Sequence, residues 1–183
     1  MLKRFCLSAF VVALTFGLAS TATAQTTVPA PDPIASPHAM SKTMMGDTYI
    51  KVTYGSPRKR DRVIFGELEQ YGEVWRLGAN DATEITFTDK VNFGGEMLDA
   101  GTYTLFAVPM EDKWKIIVNS DLGQWGAYRH NTENDVATVE VPVEIMNESH
   151  EAFTMAFEEV EGGVHLNMMW DTVKAAVPIK AAM

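Results

Sequence analysis

From residue 48 onward, apolar and polar positions alternate with a period of two, in short runs separated by Gly, Pro, Asn and Asp. Ile50, Val52 and Tyr54 alternate with Lys51 and Thr53, and the run ends at Gly55-Ser56-Pro57, a turn signal. Residues 63–65 form a short apolar run ending at Gly66. Residues 91–93 and 96–98 read as a hairpin joined by Gly94-Gly95, a pair that supplies the positive φ angles of a tight turn. In residues 102–108, Tyr103 and Leu105 take one face while Phe106 and Val108 take the other, which predicts a strand covered on both sides. Trp114, Ile116 and Val118 alternate with Lys113 and Lys115. After a long connection over 119–135, residues 136–143, 153–157, 164–170 and 173–179 read as four further strands. No sustained helical period occurs after the first two dozen residues. Many short strands with regular turn signals predict a single-domain, all-β fold, an antiparallel β-sandwich of jelly-roll type.

Residues 71–83, YGEVWRLGANDAT, concentrate two aromatics, an arginine, a glycine turn and two carboxylates. Residues 73–77 and 83–88 alternate like two strands, and Gly78, Asn80 and Asp81 suit the turn between them. Pairing about Asn80 sets Trp75 opposite Ile85 on the core face and Arg76 opposite Glu84 on the other. Two readings follow: a cross-strand Arg76–Glu84 pair contributing roughly 0.2–1 kcal/mol with no ligand, or a recognition site made by Arg76, Asn80 and Asp81 at the turn.

The N terminus changes the expected location. Residues 1–24 place Lys3 and Arg4 before an apolar run and end in Ala22-Thr23-Ala24, the pattern of a cleaved secretory signal, so export to the periplasm or beyond is expected. The apolar run is short for a membrane span, and no second one follows. Cys6, the one cysteine, leaves with the signal, so the mature chain has neither disulfide nor thiolate chemistry. Residues 25–37 carry Pro29, Pro31, Pro33 and Pro37 and read as an extended tether, with the domain occupying 38–183. The whole chain carries a net charge of −9, and loss of the signal makes it more acidic, which argues against a nucleic-acid partner. Arg58, Lys59, Arg60 and Arg62 form a local basic spot, read as a solvated loop or a contact for an anion.

The ordered segments Ser36-Pro37-His38, Tyr54-Gly55-Ser56-Pro57, Ile64-Phe65-Gly66, residues 71–76 and 78–83, Ala100-Gly101-Thr102-Tyr103-Thr104-Leu105 and Trp125-Gly126-Ala127-Tyr128 resemble a bacterial family of exported proteins known as domain of unknown function 2911. The resemblance runs from about Ser36 to Ile179 and implies the domain boundary and export, with no reaction attached. This chain departs from the pattern at Asp61, where a glycine is expected before Arg62, at Asp81, which replaces a glutamate, and at Arg129-His130, where Asn-Tyr is more usual.

Several chemistries compete for these residues. As a binding module, the chain offers Trp75, Trp125 and Tyr128 as stacking surface, Trp75 being the one that also fits the core, and Arg62, Arg76, Asn80 and Asp81 as donors and acceptors, a set suited to a polar or anionic small molecule or a glycan. A structural or protein-interaction domain of the cell envelope would need no site. A carboxylate-dependent hydrolase built on Asp81 and Glu84 is the weakest of the three, because the spacing matches no recognised motif and no serine occupies a nucleophile elbow. No cofactor is expected. His38, His130, His150 and His165 are scattered, and although His38, Met40, Met44 and Met45 would suit copper(I), their spacing fits no fixed motif; methionines filling gaps at the domain's edge are the simpler reading.

Overall fold

The computed structural model describes residues 34–182, so the signal-like segment and residues 25–33 of the proline-rich stretch lie outside it. Nine strands form one antiparallel sheet: β1 (His38–Met45), β2 (Thr48–Gly55), β3 (Thr83–Phe87), β4 (Val91–Phe93), β5 (Glu96–Leu98), β6 (Gly101–Pro109), β7 (Lys113–Asn119), β8 (Asp135–Val160) and β9 (Gly163–Ala181). Their order is β1-β2-β3-β6-β7-β8-β9-β4-β5, not closed into a barrel. Among the described residues there is no α-helix, only a single 3-10 turn, Thr132–Asn134.

The sheet folds over along β8. Its first part pairs with β7, from Asp135 opposite Asn119 to Pro142 opposite Lys113, and its remainder pairs with β9, from Val143 opposite Ala175 to Val160 opposite Gly163. Sequence alternation splits this strand into two, and the register shifts on either side of His150 show why: the pleat is interrupted there while the strand continues. β9 is likewise one strand through Asp171, which takes φ 51. The two layers meet through side chains. Tyr54 on β2 lies edge-on to Phe153 on β8 at 5.7 Å, and Ser41 and Ser56 donate hydrogen bonds across to the Met155 and Phe153 carbonyls. Trp114 on β7 and Trp170 on β9 enclose Trp75, which stacks on Trp170 at 5.9 Å, so an aromatic cluster fills the sandwich interior. Burial of such rings is the main stabilising term available to a fold without disulfides.

The doubly apolar face of β6 has a physical counterpart. Leu105 and Ala107 point into the main core, whereas Phe106, with Ile117 of β7 and Ala82, forms a second small cluster on the opposite face, against which Val108 and Ala127 pack. The connection between β7 and β8 therefore lies over the outer face of the sheet. The 91–98 hairpin is as expected, with Gly94 at φ 60 and Gly95 at φ 108. Residues 63–65 form no strand; they sit in a loop closed by Glu69 N–H donating to the Ile64 carbonyl at 2.9 Å.

The pairing of residues 73–77 with 83–88 requires correction. Only Thr83–Phe87 is a strand, and it lies between β2 and β6, with Ile85 opposite Val52 and Tyr103. Trp75 instead exchanges backbone hydrogen bonds with Ala107 at 2.7 and 2.8 Å. Trp75 is a core residue as expected, but the hydrogen-bonding edge next to β3 is already taken by β2 and β6.

Candidate functional site

The turn at 77–83 is held from beneath. Thr83 Oγ1 donates to the Leu77 carbonyl at 2.6 Å, and Trp75 Nε1 donates to the Gly78 carbonyl at 3.0 Å. Gly55 permits the close approach: a Cβ there would lie 1.9 Å from the Ala79 carbonyl oxygen. Asn80 adopts φ 64, a left-handed conformation that asparagine tolerates. This tight base projects Asn80 and Asp81 toward the β7–β8 connection. There Ala82 N–H donates to the Gln124 carbonyl at 2.8 Å and Gly126 N–H to the Asn80 carbonyl at 3.0 Å, so Asp81 and Trp125 face each other as an antiparallel bridge. Glu84 accepts from Gly123 N–H at 2.9 Å. No Arg76–Glu84 ion pair occurs among the described residues.

The connection itself is tied down by side-chain polar groups. Asn119 Nδ2 donates to Asp135 Oδ1 at 2.7 Å and to the Asn131 carbonyl at 3.0 Å, Asn134 Nδ2 donates to Asp121 Oδ2 at 2.7 Å, and His130 Nε2 lies 2.8 Å from Asp135 Oδ1 with its ring 4.8 Å from that of Phe106. Above this network two aromatics stand in solvent. Trp125 is 62% exposed and Tyr128 83%, whereas Trp75, Trp114 and Trp170 are at most 4% exposed. Tyr128 folds over Gly126, where a Cβ would meet its ring at 2.6 Å.

Trp125 and Tyr128 line a hollow of about 540 Å³ together with Asp121, Leu122, Gly123, Gln124 and Arg129. Gln124 is buried; its Nε2 donates to the Asp121 carbonyl at 3.3 Å, and its Oε1 has no hydrogen-bond partner among the described residues. A buried acceptor without a donor is uncommon in a folded protein. Trp125 is also part of the wall of a second hollow of about 290 Å³, with Ile34, Ala35, Ser36, His38 and Asn80. A third, of about 200 Å³, is lined by residues including His38, Asp81, Glu84 and Gly123. Asn80 Nδ2 donates to the Ser36 carbonyl at 3.1 Å, and His38 Nε2 lies 3.4 Å from Asp81 Oδ2.

Of the residues expected to form a site, Asn80, Asp81, Trp125 and Tyr128 are thus brought to one surface. Arg62 and Arg76 line none of these three hollows and instead flank Glu69. Arg62 is exposed and donates from Nε and Nη2 to the Lys59 and Arg58 carbonyls, at 2.9 and 2.5 Å. Arg76 is partly buried, with an Nε that has no partner among the described residues. Burial lifts the Glu69 carboxyl from 4.5 to about 7 against the attraction of Arg76 and, more weakly, Arg62. Glu69, Asp121 and Gln124 carried no sequence signal of their own, although Asp121 and Gln124 belong to the long connection that Trp125 had already marked.

In β1, His38, Met40 and Met44 are exposed and Met45 packs on the core, so Met45 is a gap-filling methionine and Met40 and Met44 are not. Among the described residues no group of three or more His, Cys, Asp or Glu side chains is placed to hold a metal ion, and no helix is long and apolar enough to cross a membrane. Asp61 adopts φ 59, a left-handed conformation that a glycine would take freely.

No curated protein and no solved structure matches the chain. A family model described as protein of unknown function (DUF2911) matches residues 36–179, nearly all of the described domain, and the chain belongs to that family.

Proposed function

We propose that this domain is an exported binding module for a hydroxyl-rich polar ligand, with glycans as the class it suits best, and that the ligand sits on the surface made by Asn80, Asp81, Gln124, Trp125 and Tyr128. The observation that carries this reading is the exposure of Trp125 and Tyr128 on the wall of a hollow of about 540 Å³. Flat rings stack on sugar faces. Asp121 supplies a carboxylate acceptor and Arg129 is the single cation of that lining. The acidic chain favours neutral ligands over anionic ones. Export rests on the signal-like residues 1–24.

The test is a titration of the mature domain and its Trp125→Ala variant with a panel of neutral oligosaccharides, read by calorimetry and tryptophan emission. Trp125 is the one exposed tryptophan of the four, so emission changes report on this surface. Loss of a stacking ring worth about 1.4 kcal/mol lowers affinity about tenfold, with a melting temperature within about a degree of wild type. Equal binding by wild type and variant, or no binding of any sugar, refutes the proposal.

A further inference from the structure

Trp125 belongs to the walls of two hollows at once. It shares the lining of one with Tyr128, Leu122, Gln124, Asp121 and Arg129, and of the other with Asn80, His38 and residues 34–36. The first hollow alone, at about 540 Å³, falls within the size range of pockets that enclose a small ligand. A single compact ligand would have no use for the second. The second is nevertheless constructed: Asn80 donates to the Ser36 carbonyl at 3.1 Å, Arg60 Nη2 donates to the Ala35 carbonyl at 3.2 Å, and Ser56 N–H donates to the Pro37 carbonyl at 2.9 Å. These three contacts hold the segment preceding β1 against the site. They leave the exposed indole as a platform between two cavities.

Resting on the reading above, we infer that the ligand is an extended neutral oligosaccharide that occupies both hollows, with one sugar unit stacked on Trp125 and neighbouring units on either side. The first hollow takes the units beside Tyr128 and Gln124, and the second takes units that meet Asn80 and His38. A chain ligand of this kind gains contacts with each unit until both hollows are filled. Affinity therefore depends on chain length and reaches a plateau.

The experiment is a length series of one to six units in β-1,4-linked glucose, α-1,4-linked glucose and β-1,4-linked N-acetylglucosamine, titrated into the mature protein by calorimetry. The expected result, in at least one series, is a gain in affinity of tenfold or more between one and four units, with little further gain by six. A variant carrying Asn80→Gly and His38→Ala, in which glycine suits the φ of 64 at position 80, reduces that gain to less than threefold. Single units binding as tightly as tetramers would overturn the inference while leaving the binding module standing. A length-dependent gain that survives in the double variant would also overturn it, by removing the second hollow from the site. Absence of binding at every length would overturn both this inference and the function on which it rests.

Discussion

Glu69→Gln should make the domain more stable at alkaline pH and leave it unchanged at acid pH. Glu69 is partly buried in the loop that precedes Trp75, with no cation within 4.0 Å of its carboxylate among the described residues. Burial therefore outweighs the attraction of Arg76 and Arg62, and the carboxyl is lifted from 4.5 to about 7. Between these two values the folded chain holds a proton that the unfolded chain has released. Folding stability accordingly falls as pH rises through this window, and the whole contribution is gone above about 7. At 1.36 kcal/mol for each pH unit, the full displacement corresponds to about 3 kcal/mol. Contact of the carboxylate with water screens part of this, which brings the expected effect to about 2 kcal/mol.

Glutamine keeps the shape and removes the charge. In parallel thermal melts from pH 4.5 to 8.5, wild type and variant should coincide at the acid end. The variant should melt about 4–8 °C higher at the alkaline end, from about 2 kcal/mol at roughly 2–4 °C per kcal/mol. Taking the difference between the two proteins cancels the other titrating groups. Asp171 is among them: burial pushes its carboxyl up, but hydrogen bonds from Lys59 and Ser149 outweigh this and hold it low. A variant that is less stable than wild type at pH 8 would refute the reasoning, because it would mean that attraction to the arginines exceeds the cost of burial. A difference that does not change with pH would refute it equally.

Gly55→Ala should cost at least about 3 kcal/mol in a urea melt, because the added Cβ would lie 1.9 Å from the Ala79 carbonyl oxygen, a backbone atom that no rotamer change can move; a loss under 1 kcal/mol would show that the turn beneath Asn80 is not held by this approach. Asp61→Gly should raise stability by about 0.5 kcal/mol, since relief of a left-handed aspartate at φ 59 exceeds the added freedom of the unfolded chain; a lower melting temperature would show that the carboxylate itself contributes there.

The strands were legible wherever one face is buried and the other wet, as in β2, where Ile50, Val52 and Tyr54 are buried and Lys51 and Thr53 are not. They were illegible where pairing depends on distant partners. Nothing in residues 73–77 says that Trp75 will bond to Ala107, and local symmetry about Asn80 pointed to a hairpin that tertiary pairing overrides. The continuity of β8 was hidden for a related reason. Its middle residues lose alternation at the shifts around His150, yet the strand is needed whole because it carries the chain from one layer to the other. At the site, the turn chemistry of Asn80 and the exposed aromatics could be read from residue type. Arg62 and Arg76 could not be placed, because their neighbour Glu69 lies in a loop with no periodic signal.

The β7–β8 connection, residues 120–134, is long for a link between antiparallel neighbours, which two to five residues can join. Its length is spent on order. Asn119, Asp121, Asn134 and Asp135 bond across the loop, His130 sits over Phe106, and Ala127 packs on the small cluster formed by Ala82, Phe106 and Ile117. A mobile loop bearing the same two aromatics would also have to order its backbone on binding. Here that ordering has been met by folding, and Trp125 and Tyr128 are presented to solvent on a fixed support. Under the proposed function, a ligand would meet both rings on a loop whose backbone is already ordered.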